Sequence, residues 1–264
     1  MTQDCERRLE ESGYSRPGFA ARYDATRPRP PAVLLELLPA LAGVERPRLI
    51  VDLGSGTGLS TRFWAGTSDE VVGVEPQAAM CAFAEQATQA ANVRYVERPA
   101  EQTGLPDAAA DIVTAAQSLQ WMDLGAALAE VARILRPGGV FCAYEYVHLQ
   151  TPLWKPEQVW AELRERKRRL REDRGLQAEN TPVSLARVAE SGVFSSVREV
   201  SLHGIEEGDG RRLVELALSE GSLVTLLEAG ATEAEVGLDR LRAVAATMPR
   251  VRWWIGYRAL VGRA

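Results

Sequence analysis

Through the middle of the chain, continuous apolar runs alternate with stretches whose apolar positions recur every three or four residues. That is the pattern of buried strands joined by amphipathic helices. Arg48 to Leu53 predicts a first strand, followed by a helix over Leu59 to Ala65. Val71 to Val74 predicts a second strand ending at Glu75, after which Pro76 suits a first helical position and an Ala-rich helix runs to about Ala90. Val93 to Glu97 and Asp111 to Ala115 predict the third and fourth strands. Leu124 to Leu135 predicts an amphipathic helix ended by Pro137-Gly138-Gly139, and Val140 to Tyr144 a fifth strand. Such alternation builds βαβ units around a parallel sheet, an α/β fold.

The flanks are less regular. Arg27-Pro28-Arg29-Pro30-Pro31 breaks helix before Ala32 to Leu41 resumes it. Beyond the fifth strand the pattern predicts a polar helix over 151–176, a short helix from Ser184 to Ser191 and a strand from Val193 to Ile205. Arg211 to Thr247 reads as two or three helices and Val251 to Gly262 as a closing strand.

Composition narrows the function classes more than the fold. The 264 residues are 46% hydrophobic and 25% charged, ordinary for a globular chain large enough to bury a core. A net charge of −5 argues against nucleic acid as the main partner, because neutralising several phosphates needs a basic surface. Arg164 to Arg174 is locally basic, but interspersed acids and the helical spacing of Val159, Leu163 and Leu170 make it a solvated helix face. Cys5, Cys81 and Cys142 are too scattered for a disulfide framework or a Cys-x-x-Cys metal site; they read as packed thiols of a reducing compartment, and no metal is expected. No apolar run reaches the roughly 18 residues of a membrane span, and the N-terminus mixes both charge signs, so a cytoplasmic protein without membrane contact is expected.

The chemistry concentrates in Gly54-Ser55-Gly56-Thr57-Gly58, between the first strand and the helix after it. Alternate glycines let a backbone turn tightly and approach a ligand. Glu75 ends the next strand, 23 positions after Asp52, where a carboxylate accepts hydrogen bonds from both hydroxyls of a ribose. Together they point to an adenosine-containing ligand. Leu59 stands where the dinucleotide fingerprint needs its third glycine, and no Gly-Lys-Ser/Thr of a phosphate loop follows.

Val51-Asp52-Leu53-Gly54-Ser55-Gly56-Thr57-Gly58 resembles the first motif of the class I S-adenosylmethionine-dependent methyltransferases. Glu75-Pro76-Gln77-Ala78-Ala79-Met80 is similar to their acidic motif, and Pro99-Ala100-Glu101 with Leu105-Pro106-Asp107 to the segment that meets the adenine amine. Ala116-Gln117-Ser118-Leu119-Gln120-Trp121 and Leu135-Arg136-Pro137-Gly138-Gly139 match the blocks that end the fourth strand and open the fifth. Tyr23-Asp24-Ala25-Thr26-Arg27-Pro28 is similar to the N-terminal segment of small-molecule methyltransferases related to trans-aconitate methyltransferase.

The resemblance implies a Rossmann-like class I methyltransferase fold: a mostly parallel seven-stranded sheet with an antiparallel terminal strand and a helical cap. One domain over 1–264 is expected, with a cap at 1–43, a cofactor core at 44–150, helical insertions near the substrate pocket at 151–190 and 208–250, and a terminal strand at 251–264. For S-adenosylmethionine it implies Asp52 near the methionine amine and Gly54, Ser55, Gly56, Thr57 and Gly58 around the methionine. It further implies Glu75 and Pro76 at the ribose, Met80 against adenine, Ala100 and Glu101 at its amine, and Gln117 and Ser118 beside the methionyl group. Tyr23 and Arg27 would close over the methionine end.

Methyl transfer from a sulfonium is an in-line displacement dominated by positioning and water exclusion. A carboxylate acceptor needs only cationic donors such as Arg27 or Arg29, whereas a phenol, amine or carbon acid needs a base. His148, just past the fifth strand, is the candidate base, with Gln120 where many relatives have a histidine. Tyr14, Arg29, Trp121, Tyr144, Tyr146 and Trp154 are candidate substrate contacts. O-methylation of a carboxylate or hydroxyl on a small molecule is the first expectation. N- or C-methylation with His148 as base, or a S-adenosylmethionine-binding regulator without catalysis, are the alternatives. A monomer or homodimer is expected.

Overall fold

The computed structural model describes residues 16, 18–151, 153–176 and 182–264, apart from the side chains of 148–150; Cys5 and Tyr14 lie outside the described residues. Among these, seven strands, β1 (Leu49–Leu53), β2 (Glu70–Glu75), β3 (Val93–Glu97), β4 (Ala110–Ala116), β5 (Leu135–Gln150), β6 (Ser196–Gly208) and β7 (Val251–Arg263), share one sheet. Their order is β3-β2-β1-β4-β5-β7-β6. The first five pair in parallel, while β7 runs antiparallel to both β5 and β6.

The helices in chain order are α1 (Phe19–Thr26), α2 (Leu34–Ala42), α3 (Leu59–Phe63), α4 (Ala78–Ala87), α5 (Leu124–Ile134), α6 (Trp154–Asp173) and α7 (Leu185–Glu190). They continue with α8 (Gly210–Leu218), α9 (Gly221–Glu228), α10 (Glu233–Val236) and α11 (Leu238–Ala245). β1 and β4 are buried on both faces, which is why they read as unbroken apolar runs. Leu34 and Leu38 of α2 pack with Ile50 and Trp64 on one face, and Leu128, Val131 and Ile134 of α5 with Val51 and Leu53 on the other. Asp123 caps α5 by accepting from the Ala126 amide at 3.1 Å, so the helix begins where its apolar stripe does.

Two expectations change. The fifth strand does not stop at Tyr144 but continues to Gln150, because its second half pairs with β7, Tyr146 opposite Tyr257 and Leu149 opposite Ile255. The stretch expected to hold two or three helices holds four, α8 to α11, which enclose a core of their own with Leu163 of α6 and Trp253 of β7. This helical lobe carries the cap. Arg22 of α1 pairs with Glu215 at 3.0 Å, Arg27 donates to the Ser219 carbonyl at 2.7 Å, and Arg212 donates to the Thr26 carbonyl at 3.3 Å. Among the described residues no helix is long and apolar enough to cross a membrane.

Candidate functional site

At the carboxyl end of β1 the chain turns through Gly54 to Gly58, and the amides of Gly54 and Ser55 both donate to the Val74 carbonyl, at 2.8 and 3.0 Å. The loop is thereby pinned to β2. Gly58 sits at φ +78°, and a Cβ there would fall 2.2 Å from the Tyr95 hydroxyl. Gly56, at φ +55°, has nothing within 4 Å of where its Cβ would stand.

Glu75 ends β2 and is 6% exposed. One carboxylate oxygen accepts from the Gly56 amide at 2.9 Å and the other from the Gln77 amide at 3.0 Å. Burial pushes this carboxyl above its ordinary range, against those two amides. Asp52 is fully buried behind the loop and accepts from Thr61 and Thr114 at 2.8 Å each and from Ser60 at 3.3 Å. Burial raises its pKa to about 6 even so.

Over the carboxyl ends of the strands lies an open cleft enclosing about 1150 Å³, its mouth included. The loop from Gly54 to Thr57 lines it with Glu75, Pro76 and Met80 on the β2 side, Ala100 and Glu101 after β3, and Gln117, Ser118 and Trp121 after β4. Tyr144, Tyr146 and Tyr257 form the far wall, and Tyr23, Arg27, Pro28 and Pro30 of the cap complete it. Gln117 takes a left-handed backbone at φ +57° as its amide donates to the Tyr144 carbonyl at 2.9 Å, a strained conformation for a side chain set on a cleft. Arg27 lies 4.7 Å from the Tyr23 ring centre and hydrogen-bonds the Tyr146 hydroxyl. Arg62 bridges Asp24 of the cap to the Thr57 carbonyl of the loop.

Thus sixteen of the sequence candidates converge on this wall: the cap pair Tyr23 and Arg27, the loop without Gly58, the residues after β2, β3 and β4, and the two tyrosines of β5. The others do not. Asp52 and Gly58 support the loop from behind, and Gln120 lines an adjoining cavity of about 260 Å³ with its amide donating to the Gln117 carbonyl at 2.9 Å. The Arg29 backbone is used instead of its guanidinium: its amide donates to Glu206 at 2.6 Å and its carbonyl accepts from Tyr257 at 2.6 Å. Trp154 points to solvent, 86% exposed. His148 stands in β5 opposite Gly256, its side chain outside the described residues, as is Tyr14. Tyr257, Pro28 and Pro30 were not anticipated as wall residues; Tyr257 reaches the cleft only through its pairing with Tyr146, which no local pattern encodes.

Ser55 Oγ, Thr57 Oγ1, Gln77 Oε1 and Gln117 Nε2 are buried polar atoms in residues of this wall with no hydrogen-bond partner among the described residues. Buried polar groups are ordinarily paired, so a wall with this many open partners suits a polar ligand. With the space at Gly56 and the Glu75 carboxylate, the residues fit a nucleoside bearing an amino-acid tail.

Residues 51–143 match the family described as methyltransferase domain. Over 108 residues the chain is 39% identical to a malonyl-[acyl-carrier protein] O-methyltransferase of Pectobacterium atrosepticum, covering 40% of each protein. Over 118 residues it is 37% identical to an uncharacterized methyltransferase of Mycobacterium tuberculosis, covering 44% of this chain and 46% of that one. The chain thus matches less than half the length of either of these relatives. Among solved structures, a candidate type II methyltransferase from Anaeromyxobacter dehalogenans superimposes with a TM-score of 0.66 at 26% identity, over 90% of this chain and 97% of that one. A phosphoethanolamine N-methyltransferase 2 of Haemonchus contortus in complex with S-adenosyl-L-methionine shares the fold, with a TM-score of 0.55 at 17% identity, over 98% of this chain and 59% of that one. The ordered motifs, the strand order and the domain match over residues 51–143 agree with the class I S-adenosylmethionine-dependent methyltransferases.

Proposed function

We propose that the protein moves a methyl group from S-adenosylmethionine to an oxygen of a small-molecule acceptor. One observation carries the reading: a single cleft joins the Glu75 end, with its loop of open polar partners, to a tyrosine-lined end. β2 and β5 are three strand spacings apart, about 14 Å, enough to seat a nucleoside at one end and an acceptor at the other. When bound, S-adenosylmethionine supplies an electrophilic methyl on a sulfonium, and transfer leaves a neutral thioether and the methylated acceptor.

Glu75 accepts the two ribose hydroxyls while the Gly56 and Gln77 amides hold its carboxylate in place. Met80 and Pro76 pack on the nucleoside, and Glu101, anchored by the Asp123 amide at 3.0 Å, stands where an exocyclic amine can donate to it. Ser55, Thr57 and Gln117 offer their open polar atoms to the amino-acid tail. The cap excludes water: Arg62 ties α1 to the loop, and Arg27 ties the following segment to the helical lobe. Oxygen is favoured as the acceptor atom because Arg27 is the cation among the described wall residues, and an oxygen acid ionised at neutral pH needs orientation, not a base.

Calorimetry with S-adenosylhomocysteine, followed by turnover of methyl-labelled S-adenosylmethionine with carboxylic and phenolic acceptors, tests the reading. Micromolar binding and label transfer to oxygen are expected. No binding refutes the cofactor site, and label found on nitrogen or carbon refutes the acceptor assignment.

A further inference from the structure

We infer that the acceptor is a planar, conjugated or aromatic oxygen acid, lying against the tyrosines of β5 and β7; this rests on the reading just given. Tyr144 and Tyr146 are two residues apart on β5 and so share a face of the sheet, and Tyr257 of β7 is the register partner of Tyr146. The rings of Tyr146 and Tyr257 meet edge to face, with centroids 6.4 Å apart and planes at 80°. Each of these three tyrosine hydroxyls is already held. Tyr144 shares a 2.6 Å hydrogen bond with Ser60, Tyr146 bonds Arg27, and Tyr257 donates to the Arg29 carbonyl. Rings fixed at their tips cannot rotate away, so the acceptor end is a stiff aromatic surface.

The bond from Tyr257 to the Arg29 carbonyl also sets Pro28 and Pro30 beside that surface, two rigid rings on a segment that Glu206 holds again through the Arg29 amide. Stiff, flat walls favour flat ligands: a conjugated ring stacks on them without losing rotamer freedom, whereas an alkyl chain must be ordered to fit. The charge at this end points the same way. The Arg27 guanidinium, fixed by the Tyr146 hydroxyl and the Ser219 carbonyl, is the cation among the described wall residues at the acceptor end. An acidic oxygen is attracted there and an ammonium is repelled.

The test uses the full chain saturated with S-adenosylhomocysteine and three probes titrated by calorimetry: 4-hydroxycinnamate, octanoate of the same charge, and tyramine, aromatic but cationic. Binding of 4-hydroxycinnamate at least about tenfold tighter than either other probe is expected, with that preference reduced to under about threefold in Tyr146→Leu. Octanoate or tyramine binding as tightly as 4-hydroxycinnamate overturns the inference, as does failure of all three to bind a complex that holds S-adenosylhomocysteine. The three-probe comparison on the unaltered protein stands even where the variant does not fold. Failure to bind S-adenosylhomocysteine at all removes the cofactor reading and this inference with it, and the first titration alone distinguishes that case.

Discussion

Exchange of Glu75 for glutamine isolates the carboxylate's charge from its shape. In the native loop its two oxygens each accept one backbone amide, from Gly56 and Gln77, leaving the remaining lone pairs for the ribose. Glutamine keeps one acceptor oxygen and presents an NH2 in place of the other, so one charge-assisted bond to the ligand is lost. Such bonds contribute about 1.5 to 3 kcal/mol each, which is about 10- to 150-fold in affinity. Stability moves differently. Burial raises the folded pKa of Glu75 above its ordinary value of 4.5, so the native state holds this proton more tightly than the unfolded chain. The stability it contributes is full below the unfolded pKa and declines as pH rises through the folded one. Glutamine carries no such penalty at neutral pH, while it leaves one loop amide facing a donor, at about 1 kcal/mol. Glu75→Gln is therefore expected to melt close to the native protein at neutral pH, with a flatter dependence on pH. Calorimetry should meanwhile show S-adenosylhomocysteine bound at least about tenfold more weakly. Affinity within twofold of native, in a variant with unchanged circular dichroism, would falsify the assignment of Glu75 to the ribose.

Gly58→Ala sets a Cβ 2.2 Å from the Tyr95 hydroxyl at φ +78°, and the combined backbone strain and overpacking should cost about 2 to 4 kcal/mol in chemical denaturation; partial recovery in the double variant with Tyr95→Phe is expected, and none would show that the clash is not the cause. Asp52, whose pKa is raised by burial from 3.8 to about 6, binds its proton more tightly in the folded protein. Stability should accordingly fall by roughly 3 kcal/mol as pH rises through that window and level off above it. Urea titrations across this range should show the slope in the native protein and lose it in Asp52→Asn; a slope that survives the substitution assigns it elsewhere.

Where a residue's neighbours are close in sequence, the chain could be read directly. β3 occupies the five residues its pattern predicts, and Glu75 ends β2 as expected, because β2 is a parallel strand buried along nearly its whole length, written as an apolar run closed by the next polar residue. The glycine loop was legible for a similar reason: alternate glycines report positive φ angles, and all three have them. The far wall was only half legible. Tyr144 and Tyr146 could be picked out for following the fifth strand, but Tyr257 stands more than a hundred residues later in a strand whose alternation gives no hint of its partner. The same pairing carries β5 on to Gln150. Trp154 had the same local credentials as Tyr144 and faces solvent, since its orientation depends on how α6 lies against the helical lobe.

By itself, then, the sequence determined the parallel core, the loop that turns above it and the acidic residue at its edge, all set by local burial periodicity and backbone permissiveness. Tertiary structure decided the acceptor end. It paired β7 with β5, set the Arg29 carbonyl on Tyr257, and used the helices of residues 210–245 to brace the cap, while the described wall of the cleft takes none of its residues from them. Such contacts join residues far apart in the chain, and their energy depends on register and docking that no window of sequence contains.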